Sequence, residues 1–268
     1  MLWLPGPSRF ETSLASGNDY GDAITHSGSA NTKGAWVELI ASTGFQACGM
    51  FVSIDQGSNA FLVDIGIGGS GSEKVLLQDI PHDPSQKTAY TGPAFYIPCR
   101  IPAGSRLSAR QQNNNTLGTC TVRLVLVGGD EPHFDPPQRW TTLGSLTATS
   151  LGTAVDPGGV AHTKGSWVQF SSSLPHPVRW MVFIGWHNGN SVSSRRMRFD
   201  IGVGANPNEK VIVPDLLQTY HATGDDPIPA TYSFPVGIPA GVALSVRAQS
   251  EMTTATVRIA NIALLIGG

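Results

Sequence analysis

The chain carries one pattern twice, and this constrains its fold more than any other feature. Thr32-Lys33-Gly34-Ala35-Trp36-Val37 returns as Thr163-Lys164-Gly165-Ser166-Trp167-Val168. Asp64-Ile65-Gly66-Ile67-Gly68 returns as Asp200-Ile201-Gly202-Val203-Gly204, and Glu73-Lys74-Val75-Leu76-Leu77 as Glu209-Lys210-Val211-Ile212-Val213. Ile101-Pro102-Ala103-Gly104 returns as Ile238-Pro239-Ala240-Gly241, and both copies end in Gly-Gly. The four offsets are 131, 136, 136 and 137 positions. Blocks in one order at nearly one spacing mark a tandem duplication, and a duplication fixes the architecture. What the copies share is read as scaffold. What differs is where specialisation can sit.

The sequence divides into an N-terminal arm (1–19), repeat 1 (20–129), a Pro-rich linker (130–140) and repeat 2 (141–268). Each repeat is long enough to bury its own core. Charged residues make up 13% of the 268 positions, about half the usual share of roughly 25%. With 31 Gly and 19 Pro, the chain is turn-rich and weakly charged, which suits life inside an assembly. The net charge of −2 argues against a surface for nucleic acid. No apolar run is long enough to span a membrane. The start, Met1 to Pro7, lacks the basic and long apolar regions of a secretory signal. Its short apolar arm, with Trp3, is a candidate for packing on a neighbour.

The secondary-structure signal is almost wholly β. Alternating runs bounded by Gly, Pro, Asn or Ser occur at 35–42, 48–55, 60–67, 74–79, 94–100, 106–112 and 120–127. The second copy repeats them at 166–171, 179–186, 197–203, 210–214, 231–236, 243–249 and 256–266. No window has a sustained helical period. The expected fold is all-β: two tandem antiparallel β-sandwich or jelly-roll domains from an internal duplication. The linker holds Pro132, Pro136 and Pro137, so it is short and stiff.

Alignment of the copies sets Cys99 against Val236, Cys120 against Ala255, and Cys48 near Trp180 or Met181. The three cysteines therefore read as small buried hydrophobes with free thiols, as in a reducing cytoplasm.

Candidates for chemistry are few. Asp64 and Asp200 could ligate a cation, but no Asp-x-Asp-x-Asp series supports a calcium site. The simpler reading is a polar residue on a strand, with Gly66 and Gly202 serving tight backbone geometry. Pro102 with Gly104, and Pro239 with Gly241, form turns in which Pro presets φ and Gly supplies a positive φ. Arg110 and Arg247 recur on the following strand and are expected to pair with a carboxylate. Trp36 and Trp167 are expected in the core rather than stacked on a sugar. The seven histidines form no ligand pair, and no Gly-x-Ser-x-Gly elbow is present. No catalytic residue, metal or cofactor is expected.

The copies differ most between Trp167 and Asp200, where the second has five extra residues. The stretch 186–196, with Trp186, His187, Asn188, Asn190, Arg195 and Arg196, reads as a long polar hairpin loop. Copy one instead has the polar turn 111–116, with Asn113 and Asn114. Both are candidate contact loops, because loop side chains are not committed to a core.

The series Asp64–Gly68, Glu73–Leu77 and Ile101–Arg110 resembles a β-sandwich module of structural proteins in tailed bacteriophages and related particles. The second copy matches at Asp200–Gly204, Glu209–Val213 and Ile238–Arg247, so nearly the whole chain outside the first 17 residues and the linker is covered. It departs where Ser105-Arg106 gives way to Val242-Ala243, so any role of Arg106 is not common to both copies. The resemblance implies a non-enzymatic virion component of tail, baseplate, fibre or head decoration, made in the host cytoplasm and acting through contacts with other virion proteins. The duplication adds an expected homo-oligomer of threefold or sixfold character. The competing reading is a carbohydrate-binding module for a host-surface glycan. Trp186, His187, Asn188 and Asn190 have the right chemistry for that. A depolymerase is disfavoured for want of an active-site set.

Overall fold

A computed structural model describes residues 9–13, 21–55, 60–82, 94–116, 118–128, 136–144, 147–187, 195–220 and 231–268, with the backbone alone at 186, 187, 195, 219 and 220. The first half contributes β1 (Arg9–Thr12), β2 (Asp22–Thr25), β3 (Val37–Ile40), β4 (Ala47–Asp55), β5 (Phe61–Ile67), β6 (Lys74–His82), β7 (Phe95–Ile101), β8 (Leu107–Asn113) and β9 (Thr119–Gly128). The second contributes β10 (Trp140–Leu143), β11 (Thr153–Val155), β12 (Val168–Ser171), β13 (Val178–His187), β14 (Arg195–Val203), β15 (Lys210–Tyr220), β16 (Thr231–Ile238), β17 (Leu244–Ser250) and β18 (Ala260–Gly267), with one helical turn, α1 (Ala255–Arg258). Strands hold 59% of the described residues and helix 2%, which makes the fold all-β.

Every described pairing is antiparallel, and the two halves repeat one strand order. In the first half β1-β9-β4-β7 form one sheet and β3-β8-β5-β6 the other. In the second half these become β10-β18-β13-β16 and β12-β17-β14-β15. This interleaving is the jelly roll, in which two four-stranded layers are wound from nested hairpins. The first strand of each roll is broken in two. β1 and β2 both pair with β9, and β10 and β11 both pair with β18.

Alternation builds each core. Met50, Val52 and Ile54 of β4 face Phe61, Val63 and Ile65 of β5 from the opposite sheet, all buried in one cluster. Met181 and Phe183 meet Phe199 and Ile201 in the same way in the second roll.

Several expectations are corrected. Arg9–Thr12, counted with the arm, is an edge strand, and Trp140, counted with the linker, opens β10. The run 256–266 begins as the helical turn α1 before β18. β6 and β15 run well beyond 79 and 214, because Pro81 and Pro214 lie on sheet edges where a missing N–H breaks no ladder. The segment 186–196 is not all loop. Trp186 and His187 end β13, and Arg195 and Arg196 begin β14. The stretch 111–116 is not all turn, since Gln111 to Asn113 complete β8 and are buried.

Candidate functional site

The first two repeated blocks, the aspartate just after the third and the arginine on the strand after the fourth converge on one cluster in each roll. Asp64, on the outer face of β5, is 1% exposed. Its carboxylate accepts from Lys33 Nζ at 2.7 Å, Arg110 Nε at 2.9 Å and the Asp79 backbone N–H at 2.9 Å. Lys33 also reaches Asp79 at 2.6 Å. The Arg110 guanidinium lies 4.4 Å from the centre of the Trp36 ring. A methyl group on Gly66 would come 2.8 Å from that ring, so glycine there makes room for it. The second roll repeats the set. Asp200 takes Lys164 at 2.7 Å, Arg247 at 2.9 Å and the Asp215 N–H at 3.0 Å, while Arg247 covers Trp167 at 4.5 Å and Gly202 lies against its ring.

The cluster locks a bulge. Two residues, Gln78 and Asp79, intrude where Asp64 stands alone on β5, and Asp79 adopts φ 53°. The Asp64 carboxylate catches the N–H displaced from the ladder. Asp215 repeats this with φ 52°. For Asp200, desolvation pushes the carboxyl up. Lys164, the Asp215 N–H and Arg247 outweigh that and hold it below the usual carboxylate value. Both carboxylates are thus committed to cations of the chain itself. Among the described residues no group of His, Cys, Asp and Glu could hold a metal. Trp36 and Trp167 are half-buried on the outer faces rather than in the cores, a correction to expectation.

Other marked residues are scattered. Gly104 and Gly241 take φ 77° and 79° in the turns after Pro102 and Pro239. Asn113 is buried, its side-chain oxygen accepting the Asn115 N–H at 2.9 Å, whereas Asn114 is exposed. Arg196 is exposed and meets Glu251 at 3.4 Å. Trp3, Asn188, Asn190 and the side chains of Trp186, His187 and Arg195 lie outside the described residues. Arg106, present in copy one alone, bridges Glu38 at 2.7 Å and Glu73 at 2.8 Å. Its second-copy counterpart Ala243 leaves the buried Glu209 oxygens without a hydrogen bond.

The three cysteines are buried and unpaired, and burial pushes all three thiols up, Cys120 to about 12. Strand register corrects two alignments. Cys120 matches Ala260, and Cys48 occupies the bulge position of Arg179, an exposed cation.

The sequence missed the surface through which the rolls meet. The outer face of β10-β18-β13-β16 lies across the open side of the first roll. There β10 runs beside β6, and β16 beside β7. Trp140, Trp180, Val182, Ile184, Ala263 and Leu265 from this face join the first roll's core in one cluster. Polar stitches hold the rim. Trp180 Nε1 donates to Ser233 Oγ at 2.8 Å, and Ser233 Oγ to the Tyr96 carbonyl at 3.0 Å. Thr142 Oγ1 donates to the Gln78 carbonyl. A signal was there to read. Trp180 to Ile184 is an unbroken apolar run, the mark of a strand buried on both faces, whereas Phe51, Ser53 and Asp55 alternate with the core positions of β4.

No known protein family's sequence profile matches the chain, and no curated protein matches it. Similar solved structures include PNGF-II at 10% identity and TM-score 0.36, covering 97% of this chain; the chain spans 65% of its length. The STIV MCP is similar at 8% identity and TM-score 0.34, covering 98% of this chain and 96% of its own. A peptide-N(4)-(N-acetyl-beta-D-glucosaminyl) asparagine amidase is similar at 9% identity and TM-score 0.32, covering 97% and 96%.

Proposed function

We propose that the chain is a non-enzymatic structural component of a bacteriophage virion, at the tail, baseplate, fibre or head decoration. It works through contacts with other virion proteins and with copies of itself in threefold or sixfold arrangement. One observation carries this reading. The carboxylates at the centre of the shared cluster, Asp64 and Asp200, are held by cations of the chain itself, while an outer sheet face of the second roll is buried against the first. Carboxylates already held by Lys and Arg have no open position for a reacting group. A jelly roll whose outer sheet face buries against another jelly roll is a packing unit.

The test is quantitative peptide analysis of particles purified from producing cells, with a purified-protein glycan array beside it. The chain is expected in the particles at a fixed copy number, with no glycan retained. Absence from the particles would overturn the virion role. Glycan capture that vanishes on changing Trp186 and Asn188 would replace it with the carbohydrate-binding reading.

A further inference from the structure

We infer that copies of this chain associate head to tail, by repeating between chains the contact that joins the two rolls within one. The inference deepens the self-assembly part of the reading above, but it stands on repeat geometry. The internal contact has two sides. One is the outer face of the β10-β18-β13-β16 sheet. The other is the open side of roll 1 between β6 and β7. Each side has a counterpart elsewhere in the chain with no roll against it.

The counterpart of the first side is the outer face of β1-β9-β4-β7. Registers align the two faces residue by residue. Phe10 pairs with Val127, which faces Gly49, while Trp140 pairs with Gly267, which faces Trp180. Phe10 therefore holds the position of Trp140. Trp140 is 3% exposed in the contact, and Phe10 is 62% exposed. In the same way Phe51, 37% exposed, holds the position of the buried Val182, and Val125 that of Leu265.

The counterpart of the second side lies between β15 and β16. Leu77, Ile80, Phe95, Ile97 and Cys99 line the covered opening of roll 1 and are buried. Their equivalents Val213, Leu216, Tyr232, Phe234 and Val236 are all partly exposed. Leu217 is 48% exposed, whereas Pro81 at its position is buried. Three of the described chain's large exposed apolar side chains, Phe10, Phe51 and Leu217, thus fall on these two surfaces.

The occupant is a second copy because each uncovered surface matches the other's partner and not itself. Such a contact is heterologous, so it propagates into a ring or a filament rather than closing as a twofold pair. It is weaker than the internal one. Ser53 and Arg123 stand where Ile184 and Ala263 stand in the internal contact, so less apolar area is lost to water. A reversible association results.

Native mass spectrometry and sedimentation on the full chain test this with Phe10→Arg and Leu217→Arg. Both sites are exposed, so each variant should fold, and thermal melts matching the wild type will confirm it. The wild type should form concentration-dependent oligomers, and each variant alone should weaken them by about tenfold or more. Mixed one to one, the variants should yield a dimer that grows no further, since each keeps the surface the other has lost. A Thr12→Cys/Pro214→Cys variant, at the positions of Thr142 and Gln78, should cross-link between chains under oxidation. A wild type that stays monomeric at its highest soluble concentration would overturn the inference. So would an effect of one variant only, with no capped dimer. Particle incorporation is read separately. Variants that enter particles normally while the wild type is monomeric in solution would sink this contact and leave the virion reading standing.

Discussion

At the residue scale, Asp64 and Asp200 explain why widely separated blocks of the sequence repeat together. Each carboxylate satisfies a lysine from one block, an arginine from another and a bulge N–H from a third element. Removing it would strand the arginine and a backbone donor at once, and leave the lysine with only its second aspartate, Asp79 or Asp215. The folded-state pKa of Asp200 lies below its unfolded value of about 4. Its pairing therefore contributes fully above that value, and the contribution is lost as pH falls through the lower, folded one. Asp200→Asn should lower stability near pH 7 by about 1–3 kcal/mol and flatten the acid limb of the stability curve. Urea titrations from neutral to strongly acidic pH measure both, and an unchanged acid limb would contradict the assignment. Gly66 carries a second test. A methyl group 2.8 Å from the Trp36 ring must push it from under Arg110. Gly66→Ala should cost about 1–3 kcal/mol and shift tryptophan emission. Emission and melting both unchanged would mean the ring is not held this way.

At the scale of elements, most strands were legible because alternation and turn residues agree in both copies. The misses have physical causes. β1 is a short edge strand in the segment read as arm, and β10 one that starts on the last residue read as linker, although Arg9-Phe10-Glu11-Thr12 and Arg139-Trp140-Thr141-Thr142 already form a fifth repeated block. β6 and β15 were cut short because a proline in a strand ordinarily marks its end, and only edge position excuses it. The motif residues were found, but Asp79 and Asp215 were not, since an aspartate at positive φ has no signature until its bulge is seen. The thiols test strand packing directly. Cys48, Cys99 and Cys120 sit on three strands of one sheet, all buried, with ionisation suppressed. A disulfide-exchange reagent at pH 8 should leave them untouched in the native protein and find three thiols per chain after denaturation. Fast native reaction at any of them would show that the sheet is open there.

At the scale of the whole molecule, the decisive fact is that the two jelly rolls are alike in fold and unlike in surface. The duplication supplied two copies of one sheet face. In the second copy that face carries Trp140, Trp180, Val182, Ile184 and Leu265 and is buried against its neighbour. In the first copy it carries Ser53, Asp55 and Arg123 beside the exposed Phe10 and Phe51. Pairwise fusion of domains through a buried apolar face couples their unfolding, because neither can open without exposing the shared cluster. Calorimetry of the wild type should therefore show one cooperative transition instead of two. Trp140→Ala removes the largest plug near the β6 edge, where β10 is stitched by Thr142 to Gln78. It should cost about 3–5 kcal/mol and divide the transition in two, as the rolls lose their coupling while each keeps its own core. Phe10→Ala, the same change at the equivalent place on the uncovered face, should leave the melting of the isolated chain almost unmoved. Two transitions in the wild type, or equal losses from both variants, would mean that the internal face carries no more of the stability than its exposed twin.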